Sequence, residues 1–471
     1  MRRSIGSNTA AFAVATRKAL DVAGVVCVLG GETAGGLLLP SWTVGPFTVL
    51  LVIGVALLAL RHAIWPAPSL PSLAFHRAQA QLRDPRTLLA WSLALGAAAC
   101  VYVVGAFSVH TAAPGTVTYP FRISRNQIEN LPARFDAGFY LGIARHGYDW
   151  SPELSRHRHS MAFFPAYPAA VRVAGDVLTI PAKAFRRPDW LGGGDARMLW
   201  GGVAISVLCL ALALLRISRL ATLDGLSGRA VTKTAVLILL YPFAFFFTAP
   251  YSESLFLLSC AGLLFEWRHG NARKATLWGL LAGLVRSNGW TVSIAMLLDL
   301  AWRRGLSERR RWVVAALSPV LGATAYSAYV WLRTGNPFEW ALAQQGWGAA
   351  ASPLEFLTRR YELVRVEGLS GYIIANTLDA VTFAAALLAA VAAAVYFWRR
   401  DWLYGGFVAA YVFPALVIDL PATGRMTAVL FPVAFLLARH VKGWAYVLLA
   451  SAFACGQFWF ARQFFLWRPP F

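Results

Sequence analysis

Apolar sequence in this chain is interrupted by short polar runs whose residue types suit proton transfer and anion binding. They are Arg134-Phe-Asp136-Ala-Gly-Phe-Tyr140, Arg145-His146-Gly147-Tyr148, Phe163-Phe164-Pro165-Ala-Tyr167-Pro168, Tyr251-Ser252-Glu253-Ser254, Arg286-Ser287-Asn288-Gly289, Gln344-Gln345-Gly-Trp347 and Gly424-Arg425. Asp136 is the foremost acid. A carboxylate among aromatic rings at a membrane surface can act as a general base on a hydroxyl. Its competing role is an ion pair with Arg134 or Arg145 that fixes the loop. Glu253 opens an apolar stretch, where an acid also satisfies a helix N-terminal dipole. Arg286 lies beside a second such start and suits a phosphate group, although a snorkelling arginine would look the same in sequence. Arg425 carries the same two readings. Phe163, Phe164, Tyr167 and the prolines beside them combine interfacial anchoring with a helix start, and such rings, like that of Trp347, also stack on sugars. Arg156-His157-Arg158-His159 has poor spacing for a metal and reads as a basic patch facing solvent or phosphate.

What must position these residues is a bundle of membrane-spanning helices. Of 471 residues, 58% are hydrophobic and 14% are charged, whereas a soluble domain carries about 25% charge. Apolar runs able to cross a bilayer fall at roughly 20–39, 43–60, 88–107, 199–216, 231–248, 252–266, 275–285, 289–302, 312–332, 372–398, 402–418, 427–440 and 443–460. The net charge of +21 does not indicate nucleic acid, because Lys and Arg gather at the ends of these runs as topology signals do. Cys27, Cys100, Cys209, Cys260 and Cys455 lie in or beside apolar segments and fit neither a zinc motif nor a disulfide framework. The segment after Arg17 and Lys18 contains Glu32 and leads into another apolar run, so it is not expected to be a cleaved signal peptide.

Basic short loops set the orientation. Arg2, Arg3, Arg17 and Lys18, the loop with Arg77, Arg83 and Arg86, and the clusters at Arg216–Lys233, Arg268–Lys274, Arg303–Arg311, Arg399–Arg400 and Arg439–Lys442 all fall on the cytoplasmic side. The stretch 163–182 carries Arg172 and Asp176, which are costly in lipid, so it is expected as an interfacial helix inside a long outer loop, 108–198. Both ends of 275–302 are basic, so this stretch must cross an even number of times. Its helix spans only about 42 Å, which leaves room for two short helices turning at Arg286-Ser287-Asn288-Gly289, with Ser287 or Asn288 as a cap. Such half-helices are tolerated where they line a site. The expected organisation is an N-terminal helical pair with its cytoplasmic loop (1–87), a core (88–332), an outer loop (333–371) containing short helices, and C-terminal spans (372–471). The polar runs then converge on one face, which argues for a single site facing away from the cytoplasm.

Several of these runs together resemble the signatures of PIG-V-type mannosyltransferases. The residues concerned are 134–148 followed by Ala162-Phe-Phe-Pro165-Ala-Tyr167-Pro168, Ala249-Pro-Tyr251-Ser252-Glu253-Ser254-Leu-Phe256, Ala282-Gly283-Leu-Val-Arg286-Ser287-Asn288-Gly289, Gly335-Asn-Pro337-Phe with Ala343-Gln344-Gln345-Gly-Trp347-Gly, and Gly424-Arg425 leading to Phe431-Pro432. The likeness runs through about 88–440 in consistent order. Arg-Phe-Asp stands where the family more often has Arg-Trp-Asp. The resemblance implies an all-α polytopic GT-C glycosyltransferase fold of about 11–13 transmembrane or half-membrane helices, with interfacial helices in the first outer loop. It implies a polyprenyl- or dolichyl-phosphate sugar donor, with mannose expected, and inverting transfer to a glycolipid or glycoconjugate hydroxyl on the outer leaflet. Asp136 matches the family's first-loop acid and takes the role of base. Arg286 and Arg425 are the expected phosphate partners, and Glu253 orients hydroxyls. Arg134, Tyr140, His146, Tyr148, Phe164, Tyr167, Tyr251, Ser252, Ser287, Asn288, Gln344 and Trp347 complete the expected substrate-binding set. No cofactor is called for and no metal ligands are assigned. The absence of an Asn-x-Ser/Thr sequon and the richness in Arg and Ala favour a bacterial inner membrane over the endoplasmic reticulum, and a bacterial setting would leave the GPI acceptor behind.

Three other readings compete, one of them a non-catalytic assembly subunit in which the Asp136 carboxylate would be dispensable. A GT-C transferase of another sugar, arabinosyl or aminosugar, would share this geometry. A transporter or flippase of lipid-linked sugars would also use broken helices and intramembrane arginine, but it should show inverted repeats and polar residues near mid-membrane. No repeat is visible here, and the polar runs lie at one face.

Overall fold

The computed structural model describes residues 84–113, 115, 122–124, 126–184, 193–303, 306–347, 353–418 and 420–468; the expected N-terminal pair at 20–60 and its loop lie outside them. Among the described residues every regular element is helical. They run α1 (Pro85–Thr111), α2 (Ala137–His146), α3 (Ala166–Ala184), α4 (Gly194–Leu223), α5 (Gly228–Leu240), α6 (Glu253–His269), α7 (Ala272–Val285), α8 (Val292–Arg303), α9 (Leu306–Thr334), α10 (Glu339–Leu342), α11 (Pro353–Ala375), α12 (Thr377–Trp398), α13 (Trp402–Ile418), α14 (Leu420–Ala428), α15 (Phe431–His440) and α16 (Gly443–Phe465). Among the described residues, those within 90–143 and 148–468 group into one compact unit, and 84–89 with 144–147 belong to another.

Among the described residues five stretches are long and apolar enough to cross a membrane: Pro85–Thr111, Gly194–Leu223, Arg311–Thr334, Thr377–Trp398 and Gly443–Phe465. The chain is thus a multi-pass integral membrane protein, and its surface agrees. Leu95 and Val103 on α1 and Trp444 and Val447 on α16 are exposed apolar side chains, a pattern that water would penalise and lipid accommodates.

Proline and glycine explain where the helices differ from the expected spans. The expected run 231–248 is helical only to Leu240. Pro242 lacks an N–H and forces Tyr241 into an extended conformation (φ −53°, ψ 139°), after which the chain makes a 3₁₀ turn at Ala244–Phe247. The expected run 427–440 is likewise broken, because Pro432 starts α15 and the helix N-cap falls at Leu430. The outer loop 333–371 is expected to contain short helices, and the helix α11 found there, Pro353–Ala375, is kinked at Gly368 (φ 71°) and takes in the first residues of the expected span 372–398, which begins instead at Thr377.

The short pair is present as expected from charge. α7 has 14 residues and α8 has 12, each shorter than the about 20 a span requires. α7 lies unusually close to α9. A Cβ on Gly279 would meet Ser318 Oγ at 1.9 Å and one on Gly283 would meet the Pro319 carbonyl at 2.0 Å. Only glycine permits this approach, the small-residue packing that membrane helices favour. It fixes where the end of α7, and so Arg286, sits.

Candidate active site

The site is assembled from places where helices start, stop or break. The first is the turn before α2. Phe135 holds φ 46°, a left-handed conformation that costs a bulky residue energy, and Asp136 follows immediately. Its ring packs on Phe464 and Trp467 at 5.5 and 5.0 Å, which secures the strained turn. The Tyr251 hydroxyl donates to the Arg134 carbonyl at 2.8 Å and accepts from the Asp136 N–H at 3.0 Å, clamping the two peptide groups on either side of Phe135. The second place is the irregular stretch between α5 and α6, which puts Glu253 in the first turn of α6. The third is the α7–α8 break, where Arg286 is extended (φ −143°, ψ 150°). A Cβ at Gly289 would meet the Ala282 carbonyl at 2.2 Å, so the turn closes only with glycine there. The fourth is α14, with Arg425 in its last turn. A Cβ on Gly424 would meet the Phe243 ring at 2.5 Å, which explains the glycine beside that arginine.

These four segments meet in one charged chain. Arg425 Nη1 donates to Asp136 Oδ2 at 2.8 Å, and Arg286 Nη1 donates to Glu253 Oε1 at 2.8 Å. Arg425 Nε lies 3.8 Å from the same Glu253 oxygen and links the two pairs. The Arg286–Glu253 pair is buried, while Asp136 and Arg425 keep 15% and 25% of their side-chain surface open. The outer pair is thus the one a ligand can reach. Glu253 Oε2 is buried and has no hydrogen-bond partner among the described residues. An orphaned carboxylate oxygen is expensive in a folded interior and marks a place for a donor group.

Other expected residues frame this chain. The Tyr140 hydroxyl donates to Ser252 Oγ at 3.0 Å, next to Glu253. Tyr167 bonds the Gly202 carbonyl at 3.0 Å and Ser206 Oγ at 2.8 Å and is fully buried. Tyr148 donates to the Phe163 carbonyl at 2.8 Å. Phe164 is buried with Met161, Tyr326 and Val330. Arg134 is engaged elsewhere: it donates to the Phe465, Asn130 and Ala133 carbonyls and lies 5.2 Å from the Trp467 ring centroid. Burial lowers its pKa to about 10, so it stays protonated and ties the first loop to the end of α16. Asn288 does not cap the second short helix; its amide contacts Met426 Sδ at 3.7 Å, and half-buried Ser287 lies beside it. Gln344 and Trp347 lie half-buried in the 3₁₀ turn Ala343–Trp347. His146 is exposed in the last turn of α2.

The structure adds residues that the sequence reading missed. Phe246 lies 5.8 Å from the Arg425 guanidinium and supports it from below. Tyr411 brings a buried hydroxyl beside Arg286 and Asn288. It sits within the apolar helix α13, where its hydroxyl and that of Tyr404 were the only available signals. Phe135 was visible as an aromatic residue, but its left-handed backbone was not. Among the described residues no cluster of His, Cys, Asp and Glu forms a metal site.

Residues 107–309 match the family model described as Mannosyltransferase (PIG-V). That range contains Asp136, Glu253 and Arg286 and bears out the resemblance over the core, while Arg425 falls beyond it. The GPI alpha-1,6-mannosyltransferase 2 of Mus musculus is 29% identical over 187 residues, covering 40% of this chain and 34% of that protein. The Cricetulus griseus protein of the same description is 30% identical over 171 residues, covering 36% and 32%. The chain thus matches about a third of the length of these relatives. A crystal structure of the Archaeoglobus fulgidus oligosaccharyltransferase, tethered to an acceptor peptide, aligns over 80% of this chain and 55% of that chain, with a TM-score of 0.38 and 11% identity.

Proposed function

We propose that this protein is a membrane glycosyltransferase of the GT-C type, transferring a hexose from a polyprenyl- or dolichyl-phosphate donor to an acceptor hydroxyl with inversion. Mannose is the sugar suggested by the matched family and relatives. The observation that carries the reading is the chain Asp136–Arg425–Glu253–Arg286, with its outer pair open and one glutamate oxygen unpartnered. An inverting displacement requires one base and stabilisation of a phosphate leaving group. Asp136 supplies the base. Arg425 and Arg286 supply fixed positive charge for the phosphate. The donor phosphate competes with Asp136 for Arg425, and its arrival frees the carboxylate to accept the acceptor's proton. Glu253 Oε2 accepts a hydrogen bond from a hydroxyl of the bound sugar. Arg134, Tyr140 and Tyr251 hold the loop and the start of α6 in register.

The site faces outward from the cytoplasm in this reading. A bacterial inner membrane fits the composition, and an endoplasmic reticulum membrane fits the mammalian relatives. The test is transfer of labelled mannose from polyprenyl-phosphate mannose by purified protein, with the product anomer assigned by NMR. No transfer from any polyprenyl-phosphate hexose sinks the reading; a retained anomer sinks the single-displacement part. The facing is tested separately with Ser287→Cys in intact cells. Labelling by an impermeant thiol reagent is expected from outside, and labelling only from the cytoplasm overturns it.

A further inference from the structure

An aromatic wall leads outward from the charged chain, and it is built by segments far apart in sequence. Tyr251, which holds the Asp136 amide, has its ring 6.0 Å from that of Tyr140. Tyr140 meets Phe163 edge-on at 5.0 Å, and Phe163 stacks on Phe139 at 4.8 Å with planes 18° apart. Trp347 closes the wall at 5.4 Å from Phe139 and 5.7 Å from Phe163. Phe139 follows Asp136 by three residues, and its N–H donates to the Asp136 carbonyl at 3.0 Å. Residues at this spacing share one face of a helix start, so the rings lie on the side of α2 to which the carboxylate belongs.

The second outer segment is locked against the first. Arg158 Nε donates to the Gly346 carbonyl at 2.8 Å, and its guanidinium lies 5.7 Å from the Trp347 ring centroid. A Cβ on Gly346 would meet the Arg158 amide nitrogen at 2.4 Å, so the backbones touch. His159 accepts from the Met161 N–H at Nδ1 and turns Nε2 toward Glu339 Oε1, 3.4 Å away, with both side chains buried. These contacts place Trp347 without covering it. Phe139 and Trp347 remain half-buried, and Arg158 and Gln345 beside them are exposed and polar. Half-open rings rimmed by hydrogen-bond donors form a surface for the apolar CH face of a sugar.

We infer that Phe139, Phe163 and Trp347 form the acceptor subsite, on which a pyranose ring of the acceptor stacks while Arg158 and Gln345 bond its hydroxyls. This rests on the transferase reading above and adds where the acceptor lies: along the wall, outward of Asp136, with one hydroxyl directed at that carboxylate. The donor phosphate occupies the Arg425 side, so the two substrates approach the carboxylate from different sides.

The experiment uses full-length protein in detergent and two probes, methyl α-D-mannopyranoside for a free glycan and octyl α-D-mannopyranoside for a glycolipid headgroup. Saturation-transfer NMR should show the pyranose ring protons saturated by the wild-type protein with one or both probes. The signal should be lost in Trp347→Ala and kept in Trp347→Phe. In the transfer assay Trp347→Ala should raise the acceptor KM about tenfold or more, with no comparable rise in the donor KM. Saturation by one probe alone identifies the source of the sugar. Equal saturation in wild type and Trp347→Ala, or no saturation by either probe, overturns the subsite. A donor KM that rises with the acceptor KM overturns it as well, since that marks general damage. Ring saturation lost in Trp347→Ala, in a protein that never transfers sugar from any lipid-phosphate donor, places the failure in the transferase reading.

Discussion

The two ends of α6 carry clusters of similar composition and different construction. At one end Glu253 joins Arg286, Arg425 and Asp136. At the other, about 22 Å along the axis, Arg268 joins Asp401 at 2.6 Å and Asp224 at 3.8 Å, and the Tyr404 hydroxyl donates to Asp224. Exposure of the paired aspartates does not separate them: Asp224 and Asp401 keep 19% and 20% of their side-chain surface, comparable with Asp136. A spare acceptor does. In the second cluster the charges also serve helix ends. Arg268 lies in the last turn of α6, and Asp401 accepts the Tyr404 N–H at the start of α13. The first also has charges at helix ends, Glu253 and Arg425, and each cluster has an acid after a left-handed residue, Asp136 after Phe135 (φ 46°) and Asp401 after Arg400 (φ 57°), but of the two only the first holds a buried carboxylate oxygen, Glu253 Oε2, without a hydrogen-bond partner among the described residues. Ion pairing and left-handed backbone are therefore weak signs of function, whereas a buried acceptor left without a partner is a stronger one.

Substitution can break this contrast. Asp136→Asn should lower transfer about 10³-fold with little change in the thermal unfolding of the detergent-solubilised protein. Transfer near the wild-type rate would remove Asp136 from the role of base. Arg286→Ala strands a buried carboxylate and should destabilise by about 3–5 kcal/mol, read as a lower unfolding temperature together with lost transfer. A variant that keeps both would show that the pair is dispensable. Arg268→Ala should cost less, about 1–3 kcal/mol after allowing for its partial exposure, while transfer per folded molecule stays at the wild-type level. A turnover defect there would erase the distinction between the two ends of α6.

The smallest expected effect is one of pH. Burial holds the His159 pKa below its ordinary 6.5, against the pull of Glu339 and Asp149. The undocked histidine binds a proton more readily, so docking of the His159 segment against the Glu339 segment is fully favoured above pH 6.5 and weakens as pH falls through the lowered value. Acceptor KM should rise roughly a few-fold over that acid range, and His159→Gln should flatten the rise. An unchanged acid limb in the variant would detach His159 from this role.

Local sequence signals located much of this molecule. The short α7–α8 pair followed from basic residues at both ends of one apolar stretch. The break after Leu240 was written in Pro242, although the apolar run through 248 concealed it. Asp136, Glu253, Arg286 and Arg425 stood out because charge is rare in such a chain. Their partners did not stand out. Nearby Arg134 was an expected partner for Asp136, yet it is taken up by backbone carbonyls, and Asp136 pairs with Arg425, 289 residues away. Phe139 and Phe163 meeting Trp347 was equally hidden, because nothing local links a ring to one nearly 200 residues later.

By itself the sequence determined a multi-pass helical membrane protein with its polar residues confined to a few runs. Hydropathy, proline and the positions of Lys and Arg act locally, and each can be read within a window of about 20 residues. Only the tertiary structure decided which charges pair, which oxygen is left over and which rings form a wall. Those outcomes depend on how closely helices approach, set by contacts such as Gly283 against Pro319 and Gly424 against Phe243. Packing of that kind is a property of distant surfaces meeting, and no single stretch of sequence records it.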